Sequence, residues 1–133
     1  MDEREFKERT QKLALRIVRM VGALPKTVEA QVIGKQLLRS GTSIGANYRA
    51  ACRARSKPDL IAKLALVEEE SDETIYWLDL LVGAGIVVEK KLGLLRKETE
   101  EVLAMTVASI KTLRFGDRSQ IQNPKSKIQN RHE

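Results

Sequence analysis

The chain has 133 residues, of which 42% are apolar and 32% are charged, with one cysteine, one histidine and a formal net charge of +6. This length and composition fit one soluble globular domain, and the few glycines and prolines speak against an all-β fold, which needs a turn about every ten residues. The apolar run from Leu80 to Val88 is too short to cross a membrane, and the N-terminus lacks the apolar core of a signal peptide. We therefore expect a cytoplasmic protein with no membrane partner.

The first helix is predicted over residues 2–22. Apolar residues from Phe6 to Val21 recur at steps of three and four, which is the spacing of one buried helix face. Asp2 is a suitable N-cap, and Pro25 disfavours the helical conformation in the residue before it. A connection is therefore expected around residues 23–26.

A second helix is predicted to begin near Thr27 and to bury Val28 together with Leu37. The apolar spacing continues in phase through the sequence Gly41-Thr42-Ser43-Ile44-Gly45, so we predict a continuous or slightly bent helix there. The two glycines, four residues apart, favour a close approach to another helix over phosphate binding. They lack the Gly-Lys-Ser/Thr ending of a P-loop.

Two further helices complete the predicted fold. Ser56, Pro58 and Asp59 form a helix-start signal, and the third helix should end near Gly83-Ala84-Gly85, where a glycine can adopt the left-handed cap. A fourth helix is predicted over residues 89–113. Four helices joined by short loops predict an all-α, antiparallel up-down bundle. We place the bundle domain at residues 1–115 and a disordered polar tail at 116–133, because the tail has no periodic apolar face.

A basic stripe is the main candidate binding surface. If the helix runs without a break through residues 35–57, five cations fall on one narrow face opposite the apolar side: Lys35, Arg39, Arg49, Arg53 and Lys57. Arginine matches phosphate oxygens bidentately, so such a stripe could follow a nucleic-acid backbone. A solvated charged face and pairing with acids of a neighbouring subunit remain open alternatives.

Other polar and aromatic residues have structural interpretations. Ser40 and Asn47 lie at the edge of the predicted buried side and are expected to hydrogen-bond helix backbones or each other, and Ser43 is also assigned a structural polar role. The candidate subunit interface comprises Glu69, Glu73, Tyr76 and Trp77, and the acidic run 68–73 could meet a neighbour's basic stripe in a head-to-tail contact. We expect no metal site, since the glutamates lack the accompanying histidine of di-iron bundles. We also expect Cys52 to be a small buried thiol.

The segment QLLRSGTSIGAN at residues 36–47 resembles a known family, together with the preceding Leu24-Pro25 and the following residues 53–56. This is the four-helix bundle family named for the protein encoded in 23S ribosomal RNA intervening sequences. The resemblance covers roughly residues 6–114 and includes Glu73 and the stretch 76–78. Ala50 stands where many members carry a glutamate, so any role of that acid is absent here.

The resemblance implies a homopentameric ring with a basic surface. The family is similar to the accessory protein of diversity-generating retroelements, in which the basic surface is tied to nucleic acid and a reverse transcriptase. We interpret the chain as a non-enzymatic oligomer, with no catalytic residue and no cofactor, that binds RNA or DNA backbone without reading bases. The alternative is a protein-interaction scaffold whose charged patches serve subunit or partner contacts.

Overall fold

The computed structural model describes residues 2–122, and within that range the chain forms four α-helices and no strand. These are α1 (Glu3–Gly22), α2 (Val28–Ala51), α3 (Lys57–Gly83) and α4 (Glu89–Gln122). Successive helices contact each other, as do α1 and α4, and the connections at 23–27, 52–56 and 84–88 are five residues each. Short connections between contacting neighbours fit the predicted up-down bundle. None of the four described helices has a stretch long and apolar enough to span a bilayer.

Local capping signals set the helix boundaries. The Asp2 carboxylate accepts the backbone N–H of Arg4 at 2.8 Å, and the Ser56 hydroxyl accepts that of Asp59 at 3.1 Å. Gly85 has φ 73° at the end of α3, where the N–H of Ile86 donates to the carbonyl of Leu81. That glycine cap and the N-cap role of Asp2 confirm the predictions, because both depend only on residues within one turn.

Glycines set the spacing between α1 and α2. A Cβ placed on Gly41 would lie 2.5 Å from Cδ1 of Ile17, and one on Gly45 would lie 3.2 Å from Oγ1 of Thr10. The later residue of α2, Gly45, thus lies next to the earlier residue of α1, Thr10, which shows that the two helices are antiparallel. The predicted close approach at Gly41 and Gly45 is confirmed, and α1 is the helix that approaches.

Hydroxyl side chains lie within the apolar core. Six are buried and donate to a carbonyl three or four residues earlier in their own helix, which removes the cost of burying an unpaired donor. They are Thr10, Ser40, Ser71, Thr74, Thr99 and Thr106. The hydroxyl of Thr74 also lies 2.9 Å from that of Ser40, which joins α3 to α2.

Two predictions about α2 are wrong. Val28 is 77% exposed and not in the core, and it is the first residue of α2. The helix also ends at Ala51 and does not continue to residue 57. Ser56 takes an extended conformation as the N-cap of α3, and Pro58 lies in the first turn of that helix, where a missing N–H leaves no backbone hydrogen bond unmade.

The fourth helix is longer than predicted. It extends to Gln122, so the boundary predicted at Gly116 falls inside α4. A single glycine costs a helix only about 1 kcal/mol, so Gly116 does not end α4. The remainder of the predicted tail, 123–133, lies outside the described residues.

Candidate nucleic-acid interface

A cleft of about 490 Å³ lies beside the α2–α3 connection, and three basic side chains line it. Arg53 and Arg55 come from the connection itself, and Lys63 comes from the second turn of α3. Ala46 and Ala50 form its α2 wall. We call this surface the basic cleft. Its alanine wall leaves room for a ligand to approach the cations.

One carboxylate organises the basic cleft. Asp59 accepts the ammonium group of Lys63 at 2.7 Å and the backbone N–H of Arg55 at 3.3 Å. These bonds, that of Lys63 first, lower the pKa of Asp59, so the carboxylate stays ionised and holds the connection against α3. Three cations facing one acid leave the cleft with a positive charge.

The five predicted stripe residues are divided among different elements. Lys35, Arg39 and Arg49 are exposed on α2, Arg53 lies in the connection, and Lys57 is the first residue of α3. Only Arg53 lines the basic cleft, and Arg49 lies one turn before it. The prediction of one unbroken stripe is therefore wrong, because α2 ends at Ala51 and the extended Ser56 separates it from α3.

Arg39 is engaged within its own chain. Its guanidinium donates to Glu70 at 3.2 Å and also to Glu73, both on α3. The Glu73 carboxylate in turn accepts the indole N–H of Trp77 at 3.0 Å. The predicted meeting of the basic stripe with the acidic run therefore occurs in part inside one chain. The antiparallel packing of α2 on α3 brings these groups together.

The predicted interface residues differ in exposure. Glu73 and Trp77 are half-buried by the contacts just described, whereas Glu69 is exposed and Tyr76 is 56% exposed. The rings of Tyr76 and Trp77 meet edge to face with centroids 4.9 Å apart. Of the four, Glu69 and Tyr76 present the most surface to a partner.

The three predicted structural polar residues all bond the backbone of α2. Ser40 is fully buried and donates to the carbonyl of Leu37 at 3.3 Å, while Ser43 donates to that of Arg39 at 2.7 Å. The amide nitrogen of Asn47 donates to the carbonyl of Ser43 at 2.9 Å. These contacts match the helix-backbone bonds expected from the sequence.

The sequence analysis did not single out two residues of the basic cleft and two ion pairs between helices. Arg55 and Lys63 belong to the basic cleft, and their signal was the local excess of cations between residues 35 and 63. Arg9 pairs with Glu98 at 2.6 Å and joins α1 to α4, and Arg96 pairs with Asp79 at 2.6 Å and joins α4 to α3. No local pattern indicates these two pairs, since they depend on helix register.

The described residues contain no group of three or more His, Cys, Asp or Glu side chains placed to hold a metal ion. Cys52 is half-buried, and burial is the main cause that raises its pKa, so the thiol is protonated at neutral pH. A reactive thiolate is thus disfavoured at this position.

Comparison with known proteins places this geometry in context. The family model described as 23S rRNA-intervening sequence protein matches residues 3–108. A crystal structure of a protein with unknown function from the S23 ribosomal protein family of Bacteroides thetaiotaomicron is 36% identical, with a TM-score of 0.78. The match covers 84% of this chain and all of that one. A comparison with curated proteins gives no significant match.

Proposed function

The chain belongs to the 23S rRNA-intervening sequence protein family, and on that premise we propose that it is a non-enzymatic protein that binds RNA or DNA through the phosphate backbone. The observation that supports this proposal is the basic cleft, where Arg53, Arg55 and Lys63 surround one wall of small alanines. Guanidinium groups match phosphate oxygens in a bidentate geometry, and each neutralised phosphate releases counterions.

The proposed contact is to backbone and not to bases. Base stacking needs exposed aromatic rings, and none of the described residues that line the basic cleft is aromatic. Phe6 and Tyr48 are buried against each other, with ring centroids 4.6 Å apart. Binding at the basic cleft should therefore depend on charge and tolerate many sequences.

Charge reversal beside and within the cleft tests this proposal. The variant Arg49→Glu with Arg53→Glu places two acids where phosphates should bind, so affinity for a generic RNA duplex should fall at least tenfold in a fluorescence-anisotropy titration. The matched control is Arg16→Glu with Arg19→Glu, which makes the same change in net charge on exposed positions of α1.

The control separates local contact from overall charge. If both double variants lose affinity equally, binding responds only to net charge and the cleft has no special role. If the parent binds neither duplex nor single-stranded nucleic acid, the proposed function is wrong.

We also propose that the chain self-associates, with the homopentameric ring of the family resemblance as the expected form. Val28, Val32 and Tyr76 are 77%, 57% and 56% exposed, and burying such side chains would favour assembly. Val32 lies about 26 Å along α2 from Arg49, so the assembly surface and the basic cleft are separate. Light scattering of the Arg49→Glu, Arg53→Glu variant should therefore give the same mass as the parent, and a monomer would contradict the separation.

The same exposed apolar residues favour a second candidate function, a scaffold that binds another protein, such as a reverse transcriptase. On this alternative, an intact oligomer would form and bind no nucleic acid. Substituting Val32→Asp with Tyr76→Ser would then abolish partner binding, whereas reversing Arg49 and Arg53 would leave it unchanged.

A further inference from the structure

A second, larger cavity of about 920 Å³ lies at the same end of the bundle as the basic cleft. It opens between the α2–α3 connection, the first turns of α3 and residues 105–113 of α4. Its apolar wall includes Leu60, Leu64, Met105 and Leu113. The volume is typical of small-molecule sites, which measure roughly 300–1,000 Å³ and are mainly apolar.

The rim of this cavity carries positive charge. Arg55 and Lys57 line it at the point where α3 begins, so the positive end of the α3 dipole adds to their field. Glu3 also lines the cavity, close to Cys52, and its carboxylate is paired with Lys7 at 3.3 Å. An anionic group is therefore favoured at the Arg55 side of the opening.

The polar groups in the wall are neutral. Tyr48 near the end of α2 and its C-cap residue Cys52 both line the cavity. Burial is the main cause that raises the pKa of both groups, so neither carries charge at neutral pH. The cavity thus offers apolar contact and a few neutral polar atoms, and the charged residues that line it are Glu3, Arg55 and Lys57.

We propose that this cavity binds a small amphiphile with an anionic headgroup, of the long-chain carboxylate class. The hydrocarbon tail lies against Leu60, Leu64 and Met105, and the carboxylate pairs with the guanidinium of Arg55. Free phosphate lacks the tail that the apolar wall requires, and a neutral hydrocarbon lacks the headgroup that the cationic rim selects. The proposal is independent of nucleic-acid binding, although Arg55 also lines the basic cleft.

Calorimetric titration of the full chain with dodecanoate, below the concentration at which it forms micelles, tests the proposal. We expect saturable binding with one ligand per chain. Butyrate has the headgroup without the tail, and dodecyltrimethylammonium has the tail with the opposite charge. Both should bind at least tenfold more weakly than dodecanoate.

A pair of tryptophan substitutions on α4 locates the ligand. Ala108 lines the cavity and is exposed, so Ala108→Trp should fill the space without disturbing the core, and should weaken dodecanoate binding at least tenfold. Ala104 is also exposed on α4 but does not line the cavity, so Ala104→Trp should bind like the parent. Arg55→Glu should reduce the affinity for dodecanoate at least tenfold.

Three results would overturn the proposal: no saturable binding of dodecanoate, equal binding of the trimethylammonium compound, or full binding by Ala108→Trp. Circular dichroism melts of each variant check that it is folded. If the parent chain binds no RNA in a separate assay, that result contradicts the proposed function and not the dodecanoate proposal, because dodecanoate is titrated without nucleic acid.

Discussion

Small and hydroxyl side chains determine how the helices pack at the scale of single residues. Ile17 is completely buried, and the place where Gly41 would carry a Cβ is already occupied by its side chain. Ser40 and Thr74 join α2 to α3 by a hydrogen bond inside the core. Ser40, Gly41, Ile44 and Gly45 thus have roles in helix packing. The exposed cations of α2 and of the α2–α3 connection are the residues available for binding.

Substitution of Gly41 should be costly. The Cβ of Gly41→Ala would meet Cδ1 of Ile17 at 2.5 Å, so the Ile17 side chain or the helix that carries it must shift, and we expect a loss of about 1–3 kcal/mol in the free energy of unfolding measured with urea. Gly93→Ala is the matched control on α4, because nothing lies within 4 Å of its added Cβ. It should stabilise the chain by about 0.5–1 kcal/mol through helix propensity. An unchanged stability of Gly41→Ala would contradict the close approach.

At the scale of helices, arginines join elements in pairs. Arg9 joins α1 to α4, Arg39 joins α2 to α3, and Arg96 joins α4 to α3. Arg96 donates to both oxygens of Asp79, at 2.6 and 3.1 Å. A bidentate pair fixes the register of two helices more firmly than a single contact.

The Asp79–Arg96 pair predicts a pH-dependent contribution to stability. The bond from Arg96 lowers the pKa of Asp79 in the folded state, so its stabilisation is present above the unfolded pKa of about 3.9 and is lost as the pH falls through the lower folded value. Because both side chains are partly exposed, we expect Asp79→Asn to cost at most about 1 kcal/mol at pH 7 and almost nothing at pH 2. Asp72→Asn, at an exposed position of α3, is the control for the change in charge. Urea unfolding at both pH values gives the comparison, and an equal loss at pH 2 would contradict it.

The helices could be predicted from the sequence because their signals are local. Asp2, Ser56 and Gly85 each act through hydrogen bonds within one turn or across the next few residues. The pairing of Arg39 with Glu70 depends instead on the relative axial position of α2 and α3, which the spacing of residues along one helix does not indicate. The basic cleft was only partly predicted for the same reason: Arg53 was identified, whereas Lys63 reaches it through the turn between helices.

At the scale of the whole molecule, one end of the bundle has charged cavities and the other has exposed apolar side chains. The basic cleft and the larger cavity lie where α2 passes into α3, and they share Arg55. Val28 and Val32 are exposed near the start of α2, which is about 30 Å away along the helix. This separation allows an oligomer to form through one end while the other end remains available to ligands.

The salt dependence of RNA binding tests the central claim, that the basic cleft contacts phosphates, most directly. Affinity for an RNA duplex would be measured from 50 to 200 mM salt for the parent and for Arg49→Glu with Arg53→Glu. If Arg49 and the three cations of the basic cleft each contact one phosphate, the plot of log affinity against log salt should fall with a slope of about −3.6 for the parent, and the slope should be shallower by about 1.8 in the variant. An affinity independent of salt, or the same slope in parent and variant, would contradict phosphate binding at the basic cleft.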